Sequence, residues 1–162
     1  MVIADLPAVA TARLRIALLA PGDAAALQAL TDDPAITGAI HFLGHPFTRA
    51  DAARLVRGDC HGVDRFFGVR RGGELIGVIG GGLRGAGEVE IGYWFGSRHW
   101  GQGYAGEAVD GFVTLLKREF PGRTIIAECR RDNAASWRLL TRLGFRPTGQ
   151  AGERPSREKL AL

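Results

Sequence analysis

Three glycines spaced as Gly101-x-Gly103-x-x-Gly106 stand directly before a segment with helical periodicity. Glycine leaves backbone N–H groups accessible, and a helix N-terminus offers free N–H donors at the positive end of the helix dipole. Arg98 adds a full positive charge beside them. The pattern predicts a phosphate site, and a diphosphate held by backbone donors and one arginine is the ligand that fits it. The alternative is a glycine-rich loop with a purely structural role.

The same glycines satisfy the G-x-G-x-x-G pattern of dinucleotide-binding folds, and Glu128 lies near the end of the next predicted strand. Three features count against a nicotinamide or flavin site. The preceding strand ends near Phe95, well before the first glycine. Only about 60 residues follow the motif, too few for a doubly wound sheet. The segment before it has the pattern of hairpins rather than of a strand-helix-strand unit.

Periodicity and turn chemistry predict the elements that position this loop. Three strands before the loop form an antiparallel meander, and a helix joins the third to a fourth. This order predicts an α+β fold with a mixed sheet. We expect one domain, residues 1–162, with residues 1–11 as a loose N-terminal extension. The predicted elements are a strand (14–19), a helix (24–30), a mostly irregular connector (31–46), a helix opened by the capping box Thr48-x-x-Asp51 and ending near 57, strands at 65–70, 75–81 and 88–95, a glycine-rich link (81–87), a helix (105–120), a strand (124–129), a helix capped by Asn133 that runs to 143 before Gly144, and a final strand (159–162).

Composition narrows the function classes. The chain has 162 residues, of which 46% are hydrophobic and 23% charged, as in ordinary globular proteins. It contains no apolar run of about 18 residues and no signal-peptide pattern, so we expect a cytoplasmic protein without a membrane partner. Cys60 and Cys129 are too few for a disulfide framework, and reduced thiols are expected.

Charge and histidine spacing argue against two further classes of site. The net charge is +4, but the arginines are scattered and no basic stripe interleaves with aromatic residues, so nucleic-acid binding is not supported. The four histidines have no metal-ligand spacing with the cysteines, so no metal is expected. A cysteine–histidine nucleophile pair is equally unsupported. The histidines are His41, His45, His61 and His99.

Several motifs together resemble one family. Residues 98–105, RHWGQGYA, match the Arg/Gln-x-x-Gly-x-Gly/Ala pyrophosphate motif of the GNAT acetyltransferases. Residues 100–108, WGQGYAGEA, are similar to the RimJ/RimL-like branch, which acetylates the N-termini of ribosomal proteins. Ile91-Gly92-Tyr93-Trp94, Asn133-x-x-Ser136 and Leu143-Gly144-Phe145 stand at that branch's spacing, and the resemblance covers about residues 12–148.

This resemblance implies the GNAT fold, with helices on both faces of a mixed sheet, and acetyl-CoA as the cosubstrate. In the family, the strand before the glycine loop splays from its neighbour, and its backbone N–H groups hold the thioester carbonyl. Asn133 resembles the residue that bonds the pantetheine arm, and it is also a predicted helix cap. The implied cofactor-binding residues are Tyr93, Trp94, Phe95, Arg98, His99, Trp100, Gly101, Gln102, Gly103, Tyr104, Ala105, Asn133 and Ser136.

The resemblance also indicates where proton transfer would occur. Glu88 and Glu90 lie on one side of the strand beside the implied acetyl position, so either is a candidate general base, directly or through water, with Glu90 preferred. Alternatively, both are ordinary solvent-facing carboxylates. Many GNAT enzymes have a tyrosine seven residues after the equivalent of Asn133, where this chain has Leu140. Ser136 occupies the place of a serine in the RimJ/RimL-like branch, and the resemblance makes it the candidate proton donor to the thiolate, unless its hydroxyl only bonds its own helix.

The acceptor side is less defined. By resemblance, residues 36–47 line it and contribute His41, Phe42 and His45, which suits a peptide N-terminus or a small amine. The tail, residues 153–158, lacks the aromatic residue of the RimJ/RimL-like ending and argues against a ribosomal acceptor. We predict an N-acetyltransferase that acts on a primary amine, with a homodimer left open. The alternative is a coenzyme A-binding sensor or interaction module without catalysis.

Overall fold

The computed structural model describes residues 1–58 and 64–162 of the chain. The predictions for Cys60 and His61 lie outside the described residues. The strands are β1 (Val9–Ala10), β2 (Arg15–Leu18), β3 (Arg65–Arg71), β4 (Glu74–Arg84), β5 (Glu88–Phe95), β6 (Thr124–Arg130), β7 (Arg146–Ala151) and β8 (Arg157–Ala161). The helices are α1 (Ala24–Thr31), α2 (Pro34–Thr37), α3 (Arg49–Arg57), α4 (Tyr104–Glu119) and α5 (Ala134–Arg142), with short 3-10 turns at Ile3–Asp5, Pro21–Asp23 and Ser97–His99.

One eight-stranded sheet organises the described chain, in the order β1-β2-β3-β4-β5-β6-β8-β7. Every neighbouring pair is antiparallel except β5 and β6, which are parallel because α4 carries the chain from the end of one to the start of the other. The predicted α+β class, the mixed sheet and the meander of β3, β4 and β5 are confirmed.

Two hydrophobic clusters lie on opposite faces of the sheet. Side chains of α4 and α5, such as Phe112 and Leu140, pack on one face together with Phe67 and Ile91. Side chains of α1 and α3 pack on the other face with Trp94. The alternation along β5 sends Ile91 to the first cluster and Trp94 to the second, as the two-residue period of a strand requires. Burial on both faces therefore fixes the register of the central strands.

The separation of β5 from β6 is the feature that opens the site. Their parallel pairing runs from Glu88 with Thr124 to Ile91 with Ala127 and goes no further. Beyond that point β5 stays paired with β4 as far as Phe95, while β6 stays paired with β8 as far as Arg130. Each strand follows its outer neighbour, so a gap opens between residues 92–95 and 128–130.

Several predicted local signals are confirmed. The capping box at the start of α3 is present: the Asp51 N–H donates to Thr48 Oγ1 at 3.1 Å, and the Thr48 N–H donates to the Asp51 carboxylate at 2.8 Å. Asn133 caps α5, and Gly144 follows that helix with φ +102°, a conformation that favours glycine.

Other elements differ from the predictions. The predicted glycine-rich link belongs largely to β4, which continues to Arg84 because its glycines remain paired with β5. The connector contains the short helix α2, capped by Asp33. β7 was not predicted, since all of its residues are exposed and it has no apolar alternation.

The expectation of a loose N-terminal extension is wrong. Ile3 is only 1% exposed and Leu6 only 5%, and both belong to the cluster under α4. Val9 and Ala10 form β1, which pairs with β2. An apolar residue in a short, irregular segment has no periodicity to reveal it, so only the packed structure identifies Ile3 as part of the core.

We expect Ile3→Ala to lower the free energy of unfolding by about 2–5 kcal/mol, because it removes buried methyl groups and leaves a cavity. The measurement is urea unfolding followed by circular dichroism. Val2→Ala is the matched control: Val2 is 54% exposed, and its truncation should change stability by less than about 0.5 kcal/mol. If Ile3→Ala lowers the free energy of unfolding by no more than this small amount, the N-terminal segment does not contribute to the core.

Candidate active site

A cleft of about 830 Å³ occupies the gap between β5 and β6 and extends beneath the start of α4 and α5. Its walls come from the end of β5, the glycine loop, the first turn of α4, one face of α5 along its whole length, and α2. The predicted residues that line it are Tyr93, Trp94, Phe95, His99, Trp100, Gly101, Gly103, Tyr104, Ala105, Asn133 and Ser136. Residues far apart in the sequence thus share one wall, as the predicted site requires.

The end of β5 presents main-chain groups to this cleft. The Gly96 N–H donates to the Ile76 carbonyl of β4 at 2.9 Å. Because backbone groups alternate in direction along a strand, Tyr93 and Phe95 direct their N–H and C=O groups away from β4, into the gap. The Trp100 indole N–H donates to the Phe95 carbonyl at 2.8 Å and so fixes that peptide relative to the glycine loop.

The glycine loop owes its shape to two residues with positive φ. Gly101 has φ +71° and Gly103, the N-cap of α4, has φ +79°. A side chain is strained in either conformation. A Cβ added to Gly101 would meet nothing within 4 Å, so this part of the loop faces open space. The loop therefore leaves room for a ligand in front of the free N–H groups of the 16-residue helix α4.

Arg13 braces the loop from the opposite side. Its guanidinium donates to the Gln102 carbonyl at 3.1 Å and to Glu107 at 2.6 Å, and it lies 4.5 Å from the centre of the Tyr104 ring. Burial of Glu107 opposes its ionisation, but hydrogen bonds from Thr11 and Arg13 outweigh burial and lower the pKa of the Glu107 carboxyl. The loop is thus held by a charged group that stays ionised.

Two predicted phosphate-binding residues do not line the cleft. The Arg98 side chain is 80% exposed and pairs with Glu74 at 3.0 Å, and Gln102 Nε2 donates to the Arg98 carbonyl. A long, exposed arginine side chain can pair with the nearest surface carboxylate. The spacing of residues in the loop does not predict that partner. The arginines that line the cleft are Arg130, Arg138, Arg142 and Arg157.

Sequence reasoning missed these four arginines. Arg138 and Arg142 are four residues apart on α5, so helical spacing could have placed them on one face. Arg130 and Arg157 are 27 positions apart in the sequence and become neighbours through the pairing of β6 with β8.

Ser136 lies beside a hydroxyl partner that was not predicted. The Tyr93 and Ser136 hydroxyl oxygens are 2.7 Å apart, and the Ser136 N–H donates to the Asn133 side chain at 3.3 Å. Burial raises the pKa of Tyr93, and the Ser136 hydrogen bond only partly offsets it. Tyr93 therefore stays protonated at neutral pH. The sequence predicts a role only for the Tyr93 main chain. Its side chain meets Ser136 only in the folded protein, where the face of β5 packs against α5.

A smaller cavity of about 90 Å³ adjoins the cleft and shares Tyr93, Ser136 and Arg157 with it. Glu90, which is 7% exposed, lies in its wall. One Glu90 oxygen accepts from Arg84 Nε at 2.7 Å, and the other accepts from Arg154, which also contacts Glu128 at 2.9 Å. Burial disfavours the charged form of Arg154, but Glu90 and Glu128 outweigh this effect and raise the pKa of its guanidinium.

The remaining predicted residues divide between this cavity and the surface. His41 and Phe42 line the smaller cavity. Glu88 pairs with Lys159 and lines neither cavity. His45 lies 3.5 Å from Asp32, also outside both cavities.

Residues 1–58 and 64–162 contain neither a metal-binding cluster nor a membrane-spanning helix. No group of three or more histidine, cysteine or acidic side chains there could hold a metal ion. No helix in the same ranges is long and apolar enough to cross a membrane.

Known proteins resemble this chain in both sequence and fold. The uncharacterized N-acetyltransferase p20 of Bacillus licheniformis is 34% identical over 83 residues, which are 50% of this chain and 47% of that protein. The chain thus spans about half the length of the curated relative it matches. A GNAT-family acetyltransferase from Bacillus anthracis has a TM-score of 0.79 at 25% identity, covering 96% of this chain and 98% of the other.

The fold likeness extends to more distant structures. RimL, a ribosomal L7/L12 alpha-N-protein acetyltransferase solved in complex with coenzyme A, has a TM-score of 0.83 at 19% identity, covering 96% of this chain and 97% of the other. The model of the Acetyltransferase (GNAT) domain family matches residues 13–146, which include the splayed strands, the glycine loop and both helices of the cleft. The chain therefore belongs to the GNAT acetyltransferase family.

Proposed function

We propose that this protein is an N-acetyltransferase that transfers the acetyl group of acetyl-CoA directly to a primary amine. The observation that carries the proposal is the gap between β5 and β6, into which Tyr93 and Phe95 direct main-chain groups, with the glycine loop at one end of the cleft. The coenzyme A bound in the solved structure of RimL, which shares the fold, supports the same use of this cleft.

The cleft has the donors that a coenzyme A diphosphate needs. Free N–H groups at the start of α4 and the open space before Gly101 suit the diphosphate, and Arg138 and Arg142 add positive charge on the opposite wall. The Tyr93 and Phe95 main chain then lies an extended arm away. A main-chain N–H there stabilises the negative charge that develops on the thioester oxygen as the amine nitrogen attacks the carbonyl carbon.

Two protons must move as the N–C bond forms and the C–S bond breaks. We assign Glu90 as the base that accepts the amine proton, directly or through water. Each carboxylate oxygen has two lone pairs, so each keeps one after it accepts from an arginine. Ser136 donates a proton to the departing sulfur, and Tyr93 replaces the proton that Ser136 loses. Water then reprotonates Tyr93, and Glu90 gives up the amine proton to solvent, so the enzyme returns to its starting state. Leu140 cannot donate a proton, and this hydroxyl pair supplies a proton donor in its place. The pair therefore disfavours the alternative of a coenzyme A-binding protein without catalysis.

Gly101→Ala should weaken coenzyme A binding by about tenfold or more, because a methyl group strains the positive-φ loop and enters the space of the ligand. Titration calorimetry measures the affinity, and release of the free thiol with a panel of amines and N-terminal peptides measures turnover. The unaltered protein should bind coenzyme A and release thiol with at least one of these acceptors.

Gly85→Ala is the matched control, since Gly85 also has positive φ (+50°) with open space around it but lies in a turn outside the cleft. It should share the stability cost without the loss of affinity. An unaltered protein that binds no coenzyme A refutes the proposed function, and one that binds but never turns over supports the sensor alternative.

Glu90→Gln should lower kcat/KM by about 10²–10⁴-fold near neutral pH, the usual contribution of general base catalysis. The loss should shrink as the pH rises and more of the amine is already neutral. The pH dependence of kcat/KM is the measurement, with thermal unfolding to check the fold. Glu88→Gln is the control, because Glu88 has the same strand, the same face and an ion-pair partner but lines neither cavity. An equal loss in both variants would rule out a specific role for Glu90.

Ser136→Ala and Tyr93→Phe should each lower kcat by about tenfold, a modest effect because a thiol with a pKa near 8.5 is a tolerable leaving group. The double variant should be little worse than either one, since both hydroxyls serve one proton transfer. Thr141→Ala removes a hydroxyl from the same helix outside both cavities and should have no effect. Fully additive losses would argue against a shared relay.

A further inference from the structure

Arg157 is charged, half-buried and located where the two cavities meet. It stands at the start of β8 opposite Arg130, and it lines both the cofactor cleft and the smaller cavity. Its Nη2 donates to the Ala39 carbonyl at 3.2 Å, so the guanidinium bridges β8 and the segment that follows α2. Its side chain is thus held at the boundary between the two cavities, where the acceptor and the acetyl group must meet.

Arg157 differs from the other arginines of the smaller cavity in its partners. Arg84 pairs with Glu90, and Arg154 pairs with both Glu90 and Glu128. Arg157 forms no ion pair with any residue in the part of the chain that the structure describes. Burial lowers the pKa of Arg157 and the charge of nearby Arg154 lowers it further, and the opposing effect of Glu128 does not outweigh them.

The arginine and glutamate side chains of this cavity together carry a net positive charge. Arg84, Arg154 and Arg157 face Glu90 and Glu128, which leaves one positive charge uncompensated by a carboxylate. Such a surplus repels an ammonium group and favours the neutral amine, the form that attacks a carbonyl. It also attracts an anionic group carried by the same molecule.

Resting on the proposed function, we propose that Arg157 binds a carboxylate of the acceptor, and that the preferred acceptors are small primary amines bearing a carboxylate close to the nitrogen. A guanidinium offers paired N–H donors that match a carboxylate. The smaller cavity, of about 90 Å³, suits an amino-acid-sized group. The carboxylate can belong to a free amino acid or to an acidic first residue of a peptide.

Steady-state kinetics with matched acceptors separates these sources. One arm compares alanine with alaninamide, and the other compares an amidated tripeptide beginning with aspartate with the same tripeptide beginning with asparagine. In at least one arm, kcat/KM should be about tenfold or more higher for the carboxylate-bearing acceptor. Arg157→Gln should abolish that preference mainly through KM of the acceptor, with KM of acetyl-CoA unchanged.

Arg157→Lys should retain part of the preference, because it keeps the charge and loses the paired donors. Arg146→Gln, an exposed arginine of β7 outside both cavities, should leave it intact. The inference is overturned if acids and amides are equal in both arms, or if Arg157→Gln raises KM of acetyl-CoA instead. Coenzyme A binding without thiol release from any acceptor would refute the proposed function itself, a result distinct from turnover without carboxylate preference.

Discussion

The divergence of two parallel strands is the constraint on which the rest of the site depends. Once the pairing of Ile91 with Ala127 ends, β5 follows β4 and β6 follows β8, and neither strand can close the gap without giving up its outer partner. The main-chain groups at the end of β5 would be costly to leave unbonded in a dry interior, but they face a cleft that water or a ligand fills. The fold thus keeps hydrogen-bonding capacity open between two central strands of the sheet.

The glycine loop is held in shape by contacts from outside itself. Its two positive-φ glycines permit the turn, but Arg13, which lies just before β2, ties the Gln102 carbonyl and Glu107 together. From the other side, the Trp100 indole holds the Phe95 carbonyl. The loop, the first turn of α4 and the end of β5 therefore form one braced unit. Preorganised donors cost no rearrangement when charge develops, which is where catalysis by main-chain groups gains its advantage.

The C-terminal hairpin supplies charged side chains to the smaller cavity. The segment between β7 and β8 carries Arg154 into the carboxylates of Glu90 and Glu128, and the first residue of β8 is Arg157. A charge network of this kind is stable only if each buried carboxylate is paired. The hairpin thus completes the smaller cavity electrostatically. Changes in this hairpin offer a route by which related chains could alter the acceptor while keeping the cofactor cleft.

The sequence by itself determined the features that depend on local chemistry. These are the α+β order, the helix caps at Thr48 and Asn133, and the glycine loop before α4, because turn and cap propensities act over a few neighbouring residues. The resemblance to the family's motifs added the expectation that the strand before the glycine loop separates from its neighbour. Only the tertiary structure decided the burial of Ile3, the pairing of Tyr93 with Ser136, and the turn of Arg98 to the surface. Contacts between distant segments arise from packing in three dimensions. The partner of a long, exposed side chain depends on which groups lie near it in the folded protein. Neither produces a recognisable spacing of residues in the sequence.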